Sequence, residues 1–570
     1  VLRCPKCGGD SRREPFVLDT WHNSGSAPLA AFTDAERKAL VPVQHLTEGI
    51  DQTRGWAYTL LVLNVVYTEK PVAPYKAFLF QGHVLDEKGR KMSKSLGNVL
   101  DALEMLNEGS VDLLRYYIMW KSSPVDALSL DTKEMTGRPY QVLNTLYHLH
   151  VYLKQNGEQD GFDPSRHTAK WAAAKRLLTQ VDLWILYNLD RAVTAVKEAY
   201  GTGRYNEACK ELEHQIVEVL SQGYVRMVRN ELWNDTPKEK ERRLAIFAVL
   251  GHALSTLDIL LHPVSPFLTE YLYQEVFATG AWKKPLLVQD LPKLALPRAA
   301  KAESEAVEFA LVVEGACNSA REKAKLKRRW PLRGMEVYVP PEKAAKTKRA
   351  QKLISLLCNV KKVSFATKVS ALPVSVTLTP NRSQIGANFK EKTSDVLASL
   401  KVIEGDAAWE AYRSGSPIEL TTSKGEKVAV PVSAMEFNFR GTGDWEAAAR
   451  GETIVAIEKV RDDKLMAEGV ERDVARRLQA LRKKRGFSPA AVLAKARVAG
   501  LDQETVSMLA PLRKHLAFLV RVREVDVLEE RDGGGEWEED ELDGRPIYID
   551  VSRGRLLPGK ELGRKRRRKA

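Results

Sequence analysis

The chain has 570 residues, of which 44% are hydrophobic and 28% are charged, and its formal net charge is +14 at pH 7. This length exceeds what a single hydrophobic core serves, so we expect about three or four domains, each apolar enough to bury a core. The positive charge favours a polyanionic partner but does not indicate a fold.

Five cysteines in so long a chain exclude a disulfide framework and fit a reducing cytosol, so we expect a cytoplasmic location. No apolar run is expected to reach transmembrane length and no signal peptide is recognised, so no membrane partner is expected. The first residue is Val1 rather than Met, and we expect the chain to be the later part of something longer.

The first motif is CPKCGG at residues 4–9, which has the form of half a zinc knuckle. Cys4 and Cys7 would supply two of the four tetrahedral ligands that zinc prefers. No second CxxC follows in the sequence. Either the remaining zinc ligands precede Val1, or the pair is a structural remnant without metal.

Two tryptophan-containing segments follow. Residues 17–25, VLDTWHNSG, predict a short strand that runs into a loop, and residues 48–56, EGIDQTRGW, predict a turn that opens an apolar helix. A tryptophan in such a place, as at Trp21 or Trp56, usually belongs to the core. Asp51 could cap the helix, which is a structural role.

Polar residues crowd the start of that helix, and this density also fits a small polar ligand held at a helix N-terminus. The residues concerned are Glu48, Asp51, Gln52 and Arg54.

Residues 82–98, GHVLDEKGRKMSKSLGN, form a basic run flanked by glycines. Lysines supply compact positive charge, serines supply hydroxyl donors, and glycines let the backbone approach a polyphosphate. From composition alone, a solvated basic loop fits equally well.

The KMSKS pentapeptide at residues 91–95 resembles the signature of class I aminoacyl-tRNA synthetases, where it stabilises ATP during amino-acid activation. DTWHNSG, EGIDQTRGW and the run at residues 82–98, in this order and spacing, resemble the second half of the catalytic domain of the isoleucyl-tRNA synthetase family, in its archaeal and eukaryotic cytosolic form. DQTRGW is the part that points to isoleucine rather than valine or leucine. The resemblance implies a Rossmann-like fold that activates L-isoleucine with ATP and Mg²⁺ and transfers it to tRNA(Ile).

The same resemblance implies roles for individual residues. Trp21 and Trp56 would wall the isoleucine pocket. The residues near the adenylate or the adenine would be Glu48, Gly49, Asp51, Gln52, Gly82 and His83. The candidate catalytic residues are Lys94, Lys91 and Ser93, with the two lysines facing the phosphates. When the amino-acid carboxylate attacks the ATP α-phosphate and pyrophosphate leaves, catalysis rests on positioning and fixed positive charge.

The sequence departs from the family in two ways. None of its ten histidines forms the His-x-Gly-His motif of the first half of the class I domain, and no editing domain is recognised. A pocket discriminates one methylene by only about 1–3 kcal/mol, so the full enzyme requires hydrolytic editing. We therefore expect a truncated C-terminal portion of an isoleucine–tRNA ligase that does not activate isoleucine by itself. The alternative is a non-catalytic tRNA-binding protein derived from a synthetase.

Helical periodicity dominates residues 134–290 and predicts a bundle, which by its place after KMSKS resembles the class I anticodon-binding domain. Long helices are predicted at residues 178–199, 206–230 and 246–260. Three residues that could stack on bases fall among apolar positions and are interpreted as core or cap residues. They are Trp184, Trp233 and His262.

Residues 291–341 are interpreted as a junction, with a proline-containing linker and then a helix at residues 304–327. The helix ends in a basic run before Trp330. Contact with an RNA backbone and a solvated helix C-terminus fit this run equally well. The basic residues are Lys323, Lys325, Lys327, Arg328 and Arg329.

Residues 342–570 predict a small α+β domain that contacts tRNA, with five strands and a basic helix at residues 465–485. Its charge mildly favours an anionic partner over an ordinary solvated face. Residues 529–543 are acidic and are predicted to be an exposed loop. Residues 560–570 hold seven basic residues and one acidic one, which fits either a loose nucleic-acid contact or a disordered end.

The predicted fold is thus α/β plus α: the C-terminal half of a class I catalytic domain at residues 1–133, a helical anticodon-binding domain at 134–290, the junction at 291–341 and the α+β domain at 342–570. The expected partners are tRNA(Ile), L-isoleucine and ATP, and a monomer is expected.

Overall fold

The computed structural model describes residues 2–12, 15–16, 19–68, 72–233, 236–278, 284–400, 405–423, 425–487 and 491–552. The chain divides into two compact units, residues 1–304 and residues 305–570. The basic tail at residues 560–570 and the predicted start of a strand at Val17 and Leu18 lie outside the described residues.

The first part of unit 1 is built from short strands and helices. The strands are β1 (Leu2–Arg3), β2 (Asp10–Ser11), β3 (Leu46–Gly49), β4 (Phe78–Gln81), β5 (Val84–Leu85) and β6 (Leu128–Ser129). The helices are α1 (Thr20–Gly25), α2 (Ala27–Ala31), α3 (Asp34–Leu40), α4 (Trp56–Tyr67), α5 (Ala102–Glu108), α6 (Val111–Lys121) and α7 (Thr132–Met135). β3 pairs with β4 in parallel, and β5 pairs with β6 in parallel. Because α4 connects two parallel strands, this is the βαβ arrangement of nucleotide-binding folds.

Two local expectations in this part are wrong. Residues 20–25 form helix α1 rather than a loop, because Gly25 lets α1 approach α4 closely: a Cβ atom there would lie 2.8 Å from the Thr59 backbone. Asp51 does not cap α4. The Gln52 side-chain oxygen accepts a hydrogen bond from the Trp56 amide at 3.2 Å instead.

Helix α6 joins this part to the helices that follow. The carboxylate of Asp112, which is 1% exposed, accepts a hydrogen bond from the Leu268 amide at 2.5 Å. Arg115 donates to the carbonyl oxygens of Pro263 and Val264 at 3.0 and 2.9 Å. These contacts fix the first part of unit 1 to the next helices because they satisfy backbone groups that a helix end leaves unpaired.

The rest of unit 1 is a helical bundle, as predicted. Its helices are α8 (Arg138–Asp160), α9 (Ala169–Ala174), α10 (Gln180–Gly201), α11 (Tyr205–Glu213), α12 (Arg226–Trp233), α13 (Lys240–Leu261) and α14 (Pro266–Val276). Residues His214–Val225 form π-helical turns that continue α11 into α12. Fully buried Asp182 connects these helices because its carboxylate accepts from Tyr224 and from Arg242, each at 2.6 Å.

The structural interpretation of Trp184 and His262 is confirmed. Trp184 is 2% exposed and packs where Gly223 leaves room for its ring. His262 contacts the Thr269 hydroxyl at 2.9 Å, beside the start of α14. Trp233 is half-buried at the end of α12.

Within the described part of the chain, Pro237–Leu261 is the one helix long and apolar enough to cross a membrane, and 83% of its most apolar window is buried inside the molecule. The expectation that no apolar run reaches such a length was therefore wrong. The burial is what the central helix of a bundle requires.

Unit 2 is an α+β assembly. Its helices are α15 (Ala300–Lys323, which begins in unit 1), α16 (Thr347–Cys358), α17 (Arg382–Phe389), α18 (Thr393–Leu400), α19 (Gly405–Ser414), α20 (Asp463–Lys484), α21 (Gln503–Leu509) and α22 (Arg513–Val520). Its strands are β7 (Leu332–Tyr338), β8 (Val360–Ala366), β9 (Val374–Pro380), β10 (Ile418–Thr421), β11 (Lys427–Val430), β12 (Met435–Gly441), β13 (Trp445–Arg450), β14 (Thr453–Glu458), β15 (Leu493–Ala499), β16 (Val522–Val527), β17 (Glu538–Leu542) and β18 (Arg545–Ser552). Two four-stranded sheets have the orders β13-β14-β7-β8 and β16-β15-β18-β17.

Two expectations in unit 2 need correction. The basic helix ends at Lys323 rather than residue 327, because Lys325 adopts a left-handed conformation and the Leu326 amide returns to the Arg321 carbonyl at 2.8 Å. The second half of the acidic segment is strand β17 rather than a loop. Its strand pairing with β18 and the buried Leu542 hold it in the sheet.

Candidate active site

The polar residues before α4 and the start of the basic run meet at one edge of the β3–β4 pair. Glu48 pairs in register with Phe80, and Gly49 pairs with Gln81. The carboxyl ends of parallel strands lie at the same edge, where nucleotide-binding folds place their ligands. The strand pairing therefore brings together the residues that are predicted to lie near the adenylate and the adenine. They are Glu48, Gly49, Asp51, Gln52, Gly82 and His83.

The backbone at this edge is close-packed. A Cβ atom at Gly82 would lie 2.1 Å from the Asp126 carbonyl oxygen, so only glycine fits there. A Cβ atom at Gly49 would lie 2.6 Å from the Asp51 carboxylate, which therefore sits directly over the backbone. His83 and Glu48 are exposed, so their side chains are open to a ligand.

Trp21 and Trp56 meet at the contact between α1 and α4. The Trp56 indole N–H donates to the Ser24 carbonyl at 3.0 Å, and its ring meets Phe78 edge-on with 6.1 Å between the ring centroids. The Trp21 ring lies against Gly55, since a Cβ atom there would lie 3.2 Å from it. Trp21 is 39% exposed, so the usual core interpretation is wrong for that ring.

The loop after β5 is organised around Asp86, whose side chain is 7% exposed. One carboxylate oxygen accepts from the Lys88 and Arg90 amides at 3.0 and 2.8 Å. The other accepts from the Asn98 amide at 3.0 Å and the Arg90 guanidinium at 2.9 Å. The hydrogen bond from Asn98, followed by those from Arg90, holds the pKa of this carboxyl well below its ordinary value, so it is ionised throughout the physiological range.

Asn98 closes the loop from its other end. Besides contacting Asp86, its side-chain amide donates to the Lys91 carbonyl at 3.2 Å, and its oxygen accepts from the Ser93 amide at 2.9 Å. We call Asp86 and Asn98 the loop clamp. Two left-handed glycines, Gly89 and Gly97, make the tight turns that the clamp needs.

The clamp leaves the two candidate lysines free. Lys91 and Lys94 are exposed, and no ion pair to either is found among the described residues. The Ser93 hydroxyl accepts from the Leu96 amide at 3.3 Å and lies 3.1 Å from the Ser95 hydroxyl. Ser93 therefore caps the short turn Lys94–Leu96 as well as offering a hydroxyl. The loop presents uncompensated positive charge on a fixed backbone.

Cys4 and Cys7 lie in the β1–β2 hairpin. Hydrogen bonds to the Cys4 sulfur from the Cys7 and Lys6 amides lower the pKa of that thiol, which suits a metal ligand. Zinc needs four ligands, and no group of three or more ligating side chains occurs among the described residues. Zinc binding at Cys4 and Cys7 therefore stays a prediction.

The basic run before Trp330 is mostly used inside unit 2. Lys323 donates to the carbonyls of Phe439 and Ala447 at 3.3 and 3.0 Å. Lys327 and Arg329 pair with fully buried Asp473. Acidic and carbonyl groups distant in sequence therefore contact these three side chains, and the RNA contact stays a prediction. Lys325 and Arg328 remain exposed.

Sequence reasoning missed the loop clamp. The only available signal was that an aspartate and an asparagine flank a glycine-bounded basic run. Asx side chains commonly bond nearby backbone amides, so their presence at both ends of a loop was informative.

Two family models match the chain. Residues 4–131 match class I tRNA synthetases of the isoleucine, leucine, methionine and valine group, and residues 182–337 match the anticodon-binding domain of tRNA ligases. The predicted resemblance and fold class are confirmed by these matches.

Among curated proteins, the isoleucine–tRNA ligase of Methanopyrus kandleri is 30% identical over 505 residues, which cover 85% of this chain and 45% of that protein. The isoleucine–tRNA ligase of Methanothrix thermoacetophila is 28% identical and covers 97% of this chain and 52% of that protein. The chain thus spans about half the length of the curated relatives it matches. A crystal structure of a LeuRS–tRNA–LeuAMS complex from Agrobacterium radiobacter K84 matches 52% of this chain and 35% of that chain, with 19% identity and a TM-score of 0.41.

Proposed function

Because this chain carries class I tRNA synthetase and anticodon-binding domains, we propose that it is the ATP-loop and tRNA-binding portion of an isoleucine–tRNA ligase. The observation that carries the proposal is the loop at residues 86–98. Its backbone is fixed by the loop clamp, while Lys91 and Lys94 stay exposed.

That arrangement suits the chemistry of amino-acid activation. Negative charge develops on the phosphoryl oxygens when pyrophosphate leaves, and cations already in place stabilise it without reorganisation. Lys94, with Lys91 beside it, would supply that charge, and Mg²⁺ would accompany the triphosphate as substrate. The exposed edge of Glu48 and His83 would receive the adenylate, and the tryptophans at the α1–α4 contact would meet the isoleucine side chain.

The names of the curated relatives support isoleucine as the amino acid and tRNA(Ile) as the acceptor. The bundle would hold the tRNA. A monomer in the cytoplasm remains our expectation. Zinc binding at Cys4 and Cys7 would need two further ligands from outside the described residues.

The test is amino-acid-dependent exchange of labelled pyrophosphate into ATP by the full-length ligase that carries this portion, together with direct binding of tRNA(Ile) by the chain itself. Isoleucine should support exchange and leucine should not. If tRNA(Ile) binds but no amino acid supports exchange, the alternative of a non-catalytic tRNA-binding protein replaces the proposal. If neither exchange nor tRNA binding occurs, both are excluded.

A further inference from the structure

Unit 2 contains a groove of about 310 Å³ between the edges of two strands. Strand β12 pairs with β9 and strand β13 pairs with β14, so these consecutive strands belong to different sheets. The groove is lined by residues 435–439 of β12, by Ala449 of β13 and by Gly451 just after it. It lies outside the candidate active site and outside the matched residues 182–337.

The hydrogen bonds of β12 show which of its backbone groups face the groove. The Ala434 carbonyl accepts from the Asn381 amide at 2.8 Å, just beyond one end of the β9–β12 pairing. Within the pairing, the Asn438 carbonyl accepts from the Thr377 hydroxyl at 3.3 Å. Even-numbered residues therefore bond towards β9. Because successive residues of an antiparallel strand alternate in direction, the odd-numbered residues turn their N–H and C=O groups to the groove.

The same alternation occurs in β13. The Lys459 amide donates to the Asp444 carbonyl at 2.8 Å, so even-numbered residues bond towards β14. Ala447 and Ala449 therefore face the groove. The Ala447 amide agrees with this direction, since it donates to the Glu446 carboxylate at 2.9 Å. Two strand edges thus face each other across the groove.

Lys323 closes one end of the groove. Its ammonium group donates to the Phe439 carbonyl of β12 and to the Ala447 carbonyl of β13, at 3.3 and 3.0 Å. This donor bridges the two edges as the amides of an intervening strand would. Further along, no hydrogen bond to the groove-facing backbone groups of Phe437 and Ala449 is found within the part of the chain that the structure describes. Unpaired strand edges are a template for another extended chain.

Aromatic rings line one side of the groove. Trp409 and Tyr412 of α19 stack with 5.1 Å between ring centroids, and the Phe437 ring lies 4.8 Å from that of Tyr412. Trp409 is 2% exposed and belongs to a core that both sheets share, whereas Tyr412 is 42% exposed and open to a ligand. Among the described residues that line the groove, Glu436 is the one with a charged side chain, and it is exposed.

We propose that this groove binds an extended segment of a partner protein, which adds as a strand between β12 and β13. The added strand would join the two sheets into one, with the order β9-β12-partner-β13-β14-β7-β8. It would place an apolar side chain against the Tyr412 ring and a basic side chain towards Glu436. The inference is independent of the proposed function.

The occupant has to be a single strand with two free edges, because both walls of the groove are strand edges. A strand at the border of a sheet, such as β12 or β13 in a second copy of this chain, has only one free edge. The unpaired backbone groups therefore favour a separate extended segment over a second copy.

The experiment selects binders from a phage-displayed library of random peptides of about nine residues, the length of a long strand, with the whole chain as target. Selected peptides should alternate β-branched residues and carry a basic residue. Their synthetic forms should bind Tyr412→Ala about tenfold more weakly than the wild type, because the exposed ring is lost. Tyr271→Ala, at a tyrosine of α14 that is 54% exposed, is the control and should bind normally.

Two variants at one position test the strand edge. Ala449→Pro removes a groove-facing N–H and leaves the pairing of β13 with β14 in place, since proline is tolerated where the amide does not join the sheet. Peptide binding should weaken by about tenfold. Ala449→Ser keeps the amide and should bind like the wild type. If Ala449→Pro does not fold, Tyr412→Ala and the peptide modification below decide the outcome.

A second readout distinguishes strand addition from simple burial of apolar side chains. Each amide of a selected peptide is methylated in turn. Because neighbouring amides of an inserted strand point to opposite walls, methylation of any central amide should weaken binding. If only alternate amides are sensitive, the peptide pairs with one edge and insertion between the two strands is overturned.

Three further results would overturn the inference. The first is a selection that yields no binder, or binders that hold equally well to wild type, Tyr412→Ala and Ala449→Pro. The second is a gain of about tenfold in peptide affinity on removal of residues 553–570, which would show that this segment of the chain itself occupies the groove. The third is a dimer in solution that dissociates in Tyr412→Ala, which would assign the groove to a second copy.

Discussion

The loop at residues 86–98 and helix α20 are both rich in basic residues, yet they use positive charge in opposite ways. In the loop, one buried carboxylate and one amide bind backbone groups and leave Lys91 and Lys94 exposed. In α20, most of the basic side chains bond to groups within unit 2. Three guanidinium groups of α20, and that of Arg485 directly after it, donate to carbonyl or side-chain oxygens of their own unit. The three in α20 are Arg472, Arg477 and Arg482.

Asp473 is the centre of the second arrangement. It is fully buried, accepts from the Trp330 indole N–H at 2.9 Å and pairs with Arg329. Lys327 and the Arg461 guanidinium lie over the Trp330 ring, with 4.7 and 4.1 Å to its centroid. The contrast teaches that the side chains of a basic run stay available to a ligand only where the fold supplies no internal acid for them.

The largest effect should come from Asp473→Ala. Removing one partner of a buried charged network leaves the others uncompensated, so we expect unit 2 to lose about 3–5 kcal/mol of unfolding free energy. Urea unfolding of the protein, followed by a probe in unit 2, measures the loss. The matched control is Asp543→Ala, which removes a carboxylate that is 49% exposed and pairs with Lys327. A loss for Asp473→Ala no larger than that of the control would show that the network is not structural.

Next in size is Lys94→Ala. Loss of one fixed positive donor at a developing charge typically lowers the rate by about 10²–10³-fold. The assay is isoleucine-dependent pyrophosphate exchange by the full-length ligase that carries this portion, and stability should be unchanged because the side chain is exposed. Lys88→Ala removes another exposed lysine of the same loop and should exchange normally. Equal loss in both variants would mean that the loop acts through bulk charge alone.

Asn98→Ala should affect catalysis less than Lys94→Ala does, because it changes the geometry of the loop and leaves the lysines in place. It removes the hydrogen bonds that join Asp86, Lys91 and Ser93, each worth about 0.5–1.5 kcal/mol. We expect the KM for ATP to rise by about tenfold, with a smaller change in kcat, because the lysines remain but are no longer held. Asn107→Ala, at an exposed asparagine on α5, is the control.

The ionisation of Asp86 determines how the effect of Asn98→Ala on the KM for ATP varies with pH. The lowered pKa means that its contribution to loop order is fully present above the ordinary aspartate pKa near 3.9 and is lost as the pH falls through the lower folded-state value. The difference in KM between wild type and Asn98→Ala should thus be constant between about pH 6 and pH 8. A difference that titrates in that range would contradict an ionised Asp86.

The smallest effect concerns Arg476 and Lys483, two of the exposed basic side chains of α20. If they meet phosphates, the double variant Arg476→Ala/Lys483→Ala should bind tRNA(Ile) a few-fold more weakly and lower the salt-dependence slope by about two. Its stability should change by less than about 0.5 kcal/mol. Lys484→Ala is the control, since that ammonium group already pairs with Glu538. An unchanged slope would leave α20 with a structural role only.

Much of the fold could be predicted because its signals are local. The helices near residues 178–199 and 246–260 follow from apolar spacing and appear as α10 and α13. The strands at residues 374–378 and 547–551 follow from alternation and appear within β9 and β18. Strand β17 was missed because acidic residues dominate its sequence. Its Glu538 pairs with Lys484 and Arg485 and its Asp540 pairs with Arg477, all distant in the chain.

The sequence by itself determined the motifs of the candidate site, their order and the helical character of the bundle, since these depend on residues close together in the chain. Only the tertiary structure decided which charges are available. Arg329 and its buried partner Asp473 are separated by more than a hundred positions, and no local pattern joins them. Lys94 stays free for the converse reason: its loop is held by the short-range clamp of Asp86 and Asn98, and the described fold brings no carboxylate to it. A buried acid requires a basic partner, which can be distant in the sequence, because an unpaired buried charge costs several kcal/mol.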